Sequence, residues 1–216
     1  MKLARLTLML FSMLFFTGCS QAQNGSNFDL DFEECKKNFN KELIDHFPEK
    51  MDYSDHSDYT CKTNKKKNNV GLLLYQYGVS LERIKLIEDN AKSKAISAYN
   101  SSDSCLLIVN RFETRETLEN NDIPEVLSKH LLNRSCYEGK FPLPNFVDYE
   151  NYNINTETKL DNGFDLYVIE AKSNYNFGYS ELESNSQMPE KWKNGYTKGV
   201  AINKKKNTVI YWGIIW

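Results

Sequence analysis

The chain has 216 residues, with 27 Lys and Arg against 29 Asp and Glu, 40% hydrophobic and 13% aromatic residues, and five cysteines. That length supports one domain, or two small ones, with a real core. The formal net charge of −2, with the lysine runs Lys65–Lys67 and Lys204–Lys206 both flanked by asparagine, excludes the concentrated basic surface of a nucleic-acid binder and reads both runs as solvated turns.

The N-terminal residues stand apart from the rest. Lys2 and Arg5 lead into an apolar run, Leu6–Phe16, interrupted by Thr7 and Ser12. This run is too short for a membrane-spanning helix, which needs ~20 residues. A basic start and a short apolar core are the layout of a secretory signal. A small-x-small cleavage site is missing, because Ala4 comes too early and polar residues precede Ala22. The run closes instead on Phe16-Thr17-Gly18-Cys19, which resembles the lipobox of bacterial lipoproteins, with Phe16 where that family prefers Leu. The resemblance covers residues 1–19 and implies that 1–18 are removed and that Cys19 carries the lipid. Each buried methylene of such an anchor contributes ~0.8 kcal/mol, and more than one chain makes it stable. It further implies a location outside the cytoplasm and, with Ser20 rather than Asp after Cys19, the outer membrane. Removing residues 1–18 takes away Lys2 and Arg5 and leaves 25 basic against 29 acidic residues, a net charge of −4. Residues 19–30 read as a small, polar, flexible tether, and residues 31–216 as a single domain.

Within that domain, Asp31 and Glu34 have capping-box spacing, and Phe32, Cys35, Phe39, Leu43 and Phe47 share one face, which predicts a helix over Asp31–Phe47 ended by Pro48. Residues 49–69 are polar and read as a loop. Val70–Tyr77 is a continuous apolar run ended by Gly78 and predicts a buried strand. Ser80 then caps a helix to about Ala91, with Leu81, Ile84, Ile87 and Ala91 on one side. Lys94–Tyr99 and Cys105–Phe112 read as two strands of a hairpin around the turn signal at Asn100–Asp103. Asp122 and Glu125 repeat the capping-box spacing ahead of a short amphipathic helix containing His130. Residues 137–158 carry Pro142 and Pro144 and no helical period. Gly163–Ala171 reads as a strand, Lys172–Lys198 as a long loop, and Gly199–Asn203 with Thr208–Trp216 as a hairpin around the second lysine run. In its last strand Val209, Tyr211 and Ile215 alternate with Ile210, Trp212, Ile214 and Trp216. Apolar residues on both faces imply a central strand. The expected fold class is α+β: one compact domain with a mostly antiparallel sheet, a few helices and a C-terminal hairpin that ends in that central strand.

Four cysteines remain after Cys19: Cys35, Cys61, Cys105 and Cys136. An even number in an exported chain implies two disulfides, and of the three possible connectivities Cys35–Cys61 with Cys105–Cys136 closes the shortest loops. Reduced cysteines buried as small apolar residues are the competing account. No Cys-x-x-Cys, Gly-x-Ser-x-Gly, phosphate loop, His-Glu-x-x-His or EF-hand loop occurs. Asp52, Asp55, His56 and Asp58 form the densest polar cluster, but their spacing matches no metal loop, and a solvated acidic loop is the favoured account. His130 reads as a hydrogen-bonded core histidine. His46, near a helix end, is placed for a favourable contact of its protonated ring with the dipole.

No catalytic residue, metal ligand or cofactor site is assigned. The recognition surface is expected on the loop bearing Tyr175, Phe177, Tyr179, Trp192 and Tyr196, with Glu181, Glu183 and Glu190 among them, since Tyr and Trp are common anchors for protein partners. The expected function is a non-enzymatic envelope lipoprotein of the immunity, inhibitor or accessory-subunit kind, held on the membrane by its lipid and bound to another envelope protein. The alternative is an envelope hydrolase acting on glycan or peptide, which requires two carboxylates about 5–10 Å apart across a cleft.

Overall fold

The computed structural model describes residues 25–49, 56–65, 68–113, 129–146, 158–179 and 181–216. The expected signal segment and lipobox at residues 1–19, and Asp52 and Asp55, lie outside the described residues.

Six strands form one antiparallel sheet. They are β1 (His56–Asn64), β2 (Asn69–Tyr77), β3 (Ser97–Asn100), β4 (Asp165–Ser173), β5 (Gly195–Asn203) and β6 (Thr208–Ile215), in the order β1-β2-β6-β5-β4-β3. The helices are α1 (Gly25–Lys36), α2 (Lys41–Ile44), α3 (Leu81–Lys94) and α4 (Lys129–Leu132). The domain is α+β, as its sequence implies.

The strand β6 lies between β2 and β5, with unbroken register to both. Its side chains divide as the alternation requires. Val209, Tyr211 and Ile215 enter one core with Leu43, Leu72 and Leu74, and Ile210, Trp212, Ile214 and Trp216 enter a second with Leu106, Ile108, Leu143 and Phe146. Trp216 is fully buried, its indole N–H donates to Trp192 O at 2.6 Å, and its backbone exchanges two 2.9 Å hydrogen bonds with Gly195. The chain ends inside its own core.

The two faces are covered differently. Residues of α1, α2 and α3 cover the first, and irregular chain, including residues 106–109, 143–146 and 160–164, covers the second. On the helical face, Gly213 lets α2 lie against the sheet, since a Cβ there would stand 2.7 Å from Leu43 O. On the other face, a Cβ at Gly199 would collide with the Trp212 ring, so the glycine makes room for the indole.

Several boundaries depart from the sequence reading. The helix expected over Asp31–Phe47 is two, α1 and α2. Asn38 Nδ2 donates to Cys35 O at 3.1 Å, and Asn40, in extended conformation, caps α2 by accepting from Glu42 N at 2.9 Å. Asparagine side chains thus break the helix, yet Phe32, Cys35, Phe39, Leu43 and Phe47 are all buried as their spacing requires. The helix α1 also starts at Gly25, inside the segment read as tether. Part of the loop expected over 49–69 is the edge strand β1, whose polar, half-exposed residues carry no apolar alternation. The strand β3 pairs with β4, not with 105–112. That second segment is buried coil with a single parallel bridge, Ile108 to Leu143, and its apolar run reflects burial rather than a hairpin. The strands β4 and β5 extend into the expected Lys172–Lys198 loop and shorten it to residues 174–194. The helix α3 keeps its Ser80 cap, and Ile84 and Ala91 are buried, but Leu81 is 65% exposed; Glu88 takes the remaining buried position. His130 on α4 is exposed rather than buried in the core, and residues 122–128 lie outside the described set.

Both disulfides form in the shortest-loop pairing, Cys35–Cys61 and Cys105–Cys136. The first pins α1 to β1; the second ties the buried coil at residue 105 to the short 3-10 turn at Ser135–Tyr137. Two disulfides are the pattern of an extracytoplasmic domain. Among the described residues no helix is long and apolar enough to cross a membrane.

Candidate functional site

The segment between β4 and β5 leaves at Asn174 and returns at Asn194, and the two meet in a 2.9 Å backbone hydrogen bond. Asn174, Phe177 and Gly178 have φ of 55°, 49° and 83°, left-handed values that fold the chain sharply back. Asn176 holds the turn by accepting from Gly178 N at 3.2 Å and donating to Tyr179 O at 3.0 Å.

This turn sets Phe177 over Tyr196 with ring centroids 4.6 Å apart, and Tyr175 against both at 5.0 and 5.6 Å. The Lys172 ammonium lies 4.3 Å from the Tyr175 ring, close enough for a cation–π contact. Tyr179 donates to Asn38 O at 2.6 Å, and Lys65 reaches Glu181 at 3.0 Å while lying 5.7 Å from the Tyr179 ring. Between the Asn38–Asn40 bend and the 177–181 turn runs an open cleft of about 390 Å³.

Four of the five expected aromatics therefore gather on the helical face. Trp192 does not. It is buried on the opposite face, 6.3 Å from Trp216 and 6.2 Å from Phe141. Tyr196 is also buried, so the exposed part of the cluster is Tyr175, at 38%. Among the acidic residues, Glu181 pairs with Lys65 and Glu190 with Lys193, both on the surface.

Beneath the aromatic cluster lies a charge network that the sequence does not disclose. The Tyr196 hydroxyl donates to Glu170, whose other oxygen is 3.1 Å from Lys198 Nζ. Lys198, buried on β5, also donates to Glu42 O at 2.6 Å and Asp45 Oδ1 at 3.0 Å. Next to it, His46 Nε2 stands 3.1 Å from Gly199 O and 3.0 Å from Trp212 O. Two carbonyls accept only, so Nε2 carries the proton and joins α2 to the sheet.

Burial pushes the His46 pKa down, against the neighbouring Asp45 carboxylate, and Lys198 adds to the lowering. The His46 contact and then Lys198 hold Asp45 at about 2, against its partial burial. The His46 share requires a protonated ring, whereas burial keeps that ring neutral, so Lys198 is the partner that matters near neutral pH. His46 is thus a neutral bridge, not the protonated helix-end residue its position suggests. Burial, with Glu170 as acceptor, raises the Tyr196 phenol. Burial opposes ionisation of Glu170, and Tyr196 and Lys198 outweigh it.

Among the buried side-chain polar atoms of this network, His46 Nδ1 alone lacks a hydrogen-bond partner. His46 Nε2 is engaged by two carbonyls and cannot accept a proton, while its Nδ1 faces Asp45 Oδ1 at 3.7 Å. The arrangement holds α2 on β5 and β6 and gives the loop a rigid floor. Among the described residues, no hydroxyl or thiol is hydrogen-bonded to His46.

Two smaller concavities lie elsewhere. A cavity of about 20 Å³, lined in part by Lys62, Asn68, Glu113 and Asn145, has room for a water-sized ligand and no metabolite. A groove of about 320 Å³ near the second disulfide carries Arg134, Lys140 and Lys191; Lys140 is already paired with Asp103 at 2.6 Å. No group of three or more metal-ligating side chains occurs among the described residues. Of the acidic cluster, His56 and Asp58 lie on β1, where Asp58 accepts from Tyr59 N at 2.7 Å.

The comparisons with known proteins add no relative: no family model, curated protein or solved structure matches the chain.

Proposed function

We propose that the chain is a cell-envelope lipoprotein, anchored through Cys19 to the outer membrane, that binds another envelope protein rather than turning over a substrate. The observation that carries this reading is the Tyr175–Glu181 surface: half-exposed aromatics and an ion pair, set on a floor in which Lys198 is paired with both Asp45 and Glu170. Rigid aromatic surface with charged neighbours suits a protein partner of the immunity, inhibitor or accessory-subunit kind. The leader residues and two disulfides support the envelope location.

The test uses the full-length chain in its own cells. Cys19→Ser abolishes palmitate labelling and releases the domain from the membrane fraction. A photo-crosslinker at Tyr175 gives one adduct of defined mass that is lost with Glu181→Lys, while the same group at Leu86 on α3 gives none. Unchanged labelling removes the anchor, and a purified chain that cleaves glycan strands or peptides replaces the binding reading with the hydrolase.

A further inference from the structure

The strand β1 is one edge of the sheet, and its sequence has a symmetry that its position makes useful. Gly195 and Trp216 exchange both backbone hydrogen bonds, which fixes the alternation of bonded pairs between β5 and β6. The registers run without a shift through β6, β2 and β1, so the alternation carries across. Even-numbered residues of β1 bond β2. Ser57, Tyr59, Cys61 and Thr63 direct their N–H and C=O outward. The Tyr59 N–H confirms this parity, because it turns away from β2 to the Asp58 carboxylate. Among the described residues no strand pairs with this outer edge.

We propose that β1 pairs with β1 of a second copy, antiparallel about a two-fold axis at Thr60, to give one continuous sheet across the dimer. In that register Ser57 opposes Thr63 of the second copy and Tyr59 opposes Cys61, so all four outward-directed residues find a bonded partner. The intervening pairs are the narrow, non-bonded kind, in which opposing side chains come closest. There Asp58 opposes Lys62 and Lys62 opposes Asp58. Both belong to the even-numbered set and lie on the face carrying Leu73, the cross-strand partner of Thr60.

The charges of a single chain fit this arrangement. Lys62 is half-buried and feels Glu113 through space, and it forms no ion pair among the described residues. The Asp58 carboxylate covers the outward Tyr59 N–H, a common way of blunting an exposed edge. Pairing hands that N–H to Cys61 O of the second copy and frees the carboxylate for Lys62. The registers shifted by two residues either way shorten the ladder and set Thr60 against Asp58 or Lys62 instead. A two-fold axis perpendicular to the sheet keeps both α1 helices on one face. Both chain starts then leave from the same side, as two copies sharing a membrane require; the pairing itself does not depend on the anchor.

Sedimentation of the purified full-length chain in detergent tests this. The unaltered chain sediments as a dimer. Asp58→Lys sets lysine against Lys62 twice per dimer and raises the dissociation constant about tenfold or more. Asp58→Lys with Lys62→Asp restores opposite charges and the dimer, which separates pairing from misfolding. Thr60→Cys, at the axis, yields a covalent dimer on mild oxidation, and Leu86→Cys does not. A monomer up to about 100 µM, a dimer unmoved by Asp58→Lys, or a double swap that stays monomeric overturns the proposal.

Discussion

The two faces of the sheet reach the same dryness by different means. The helical face buries Phe32, Leu43, Ile84 and Ala91 at helical spacing, so each covering element supplies its own backbone hydrogen bonds. The coil-covered face buries Leu106, Leu107, Ile108 and Val109 consecutively, with no local period. Its backbone is satisfied by scattered contacts, such as Leu143 N to Leu107 O at 2.8 Å and Val109 N to Leu143 O at 2.9 Å. The helical face also holds the buried charge networks: Asp45, His46, Lys198 and Glu170 at one place, and Glu88 with Lys92, Lys204 and Tyr167 at another. Helices offer repeating positions for charge partners. Coil offers amide side chains, and on that side Asn145 donates to the Asn110 backbone carbonyl and Asn185 to the Asn110 side-chain oxygen.

The strongest break in this comparison removes the element that serves both faces. Deleting Ile214–Trp216 takes Ile215 from one core and Ile214 and Trp216 from the other, and the expected outcome is no cooperative melting transition. An unchanged melting temperature would refute the central role of β6. A one-sided version is Trp212→Ala, which empties only the coil-covered face and costs roughly 3–5 kcal/mol in denaturant unfolding.

Next come the two staples. Loops closed over sequence separations of 26 and 31 residues are so similar that chain entropy assigns both disulfides about 3–4 kcal/mol. The faces differ in the local consequence of losing one. Replacing Cys105 and Cys136 by serine is expected to speed amide exchange throughout 105–113, whereas replacing Cys35 and Cys61 leaves α1 held by Phe32 and speeds exchange mainly in β1. Equal local effects would mean that the coil needs its staple no more than the helix does.

Acid separates the faces more gently. The folded pKa of His46 lies below its ordinary 6.5, so the unfolded chain binds the proton first and stability falls as pH drops below about 6.5. Asp45 and Glu88 are held at about 2, below ordinary values of 3.8 and 4.5. For Glu88 the bonds from Lys204, Lys92 and Tyr167 outweigh burial. Their contribution is complete above about pH 4.5 and is lost as pH falls toward 2. Thermal melts from about pH 8 to 3 should show both steps; His46→Gln removes the upper one and Glu88→Gln reduces the lower. A melting temperature flat from pH 7 to 5 contradicts the neutral, buried assignment of His46.

The smallest expected effect is at the α1–α2 break. Asn40→Ala removes the cap of α2 and costs about 1 kcal/mol. A neutral result would show that Leu43 and the His46 bridge alone hold α2 on the sheet.

The sequence by itself determined whatever repeats at short range. Alternation along Val209–Trp216 placed β6 at the centre, the 3- and 4-residue steps from Phe32 to Phe47 marked the buried side of two helices, and the Ser80 cap and the pairing of all four cysteines came from spacing. Only the tertiary structure decided the rest. An edge strand such as β1 needs no apolar alternation, because its side chains are exposed or only half-buried. The run 106–109 mimics a strand because burial, not pairing, requires its apolar residues. The aromatic loop shows the same limit. Its composition marks a candidate surface, but long-range packing sends Trp192 to one face and Tyr175, Phe177 and Tyr196 to the other, and sets Lys198 against α2 across more than 150 residues of chain. Local patterns record backbone geometry, whereas the meeting of distant side chains depends on which strands are neighbours, and no local period records that.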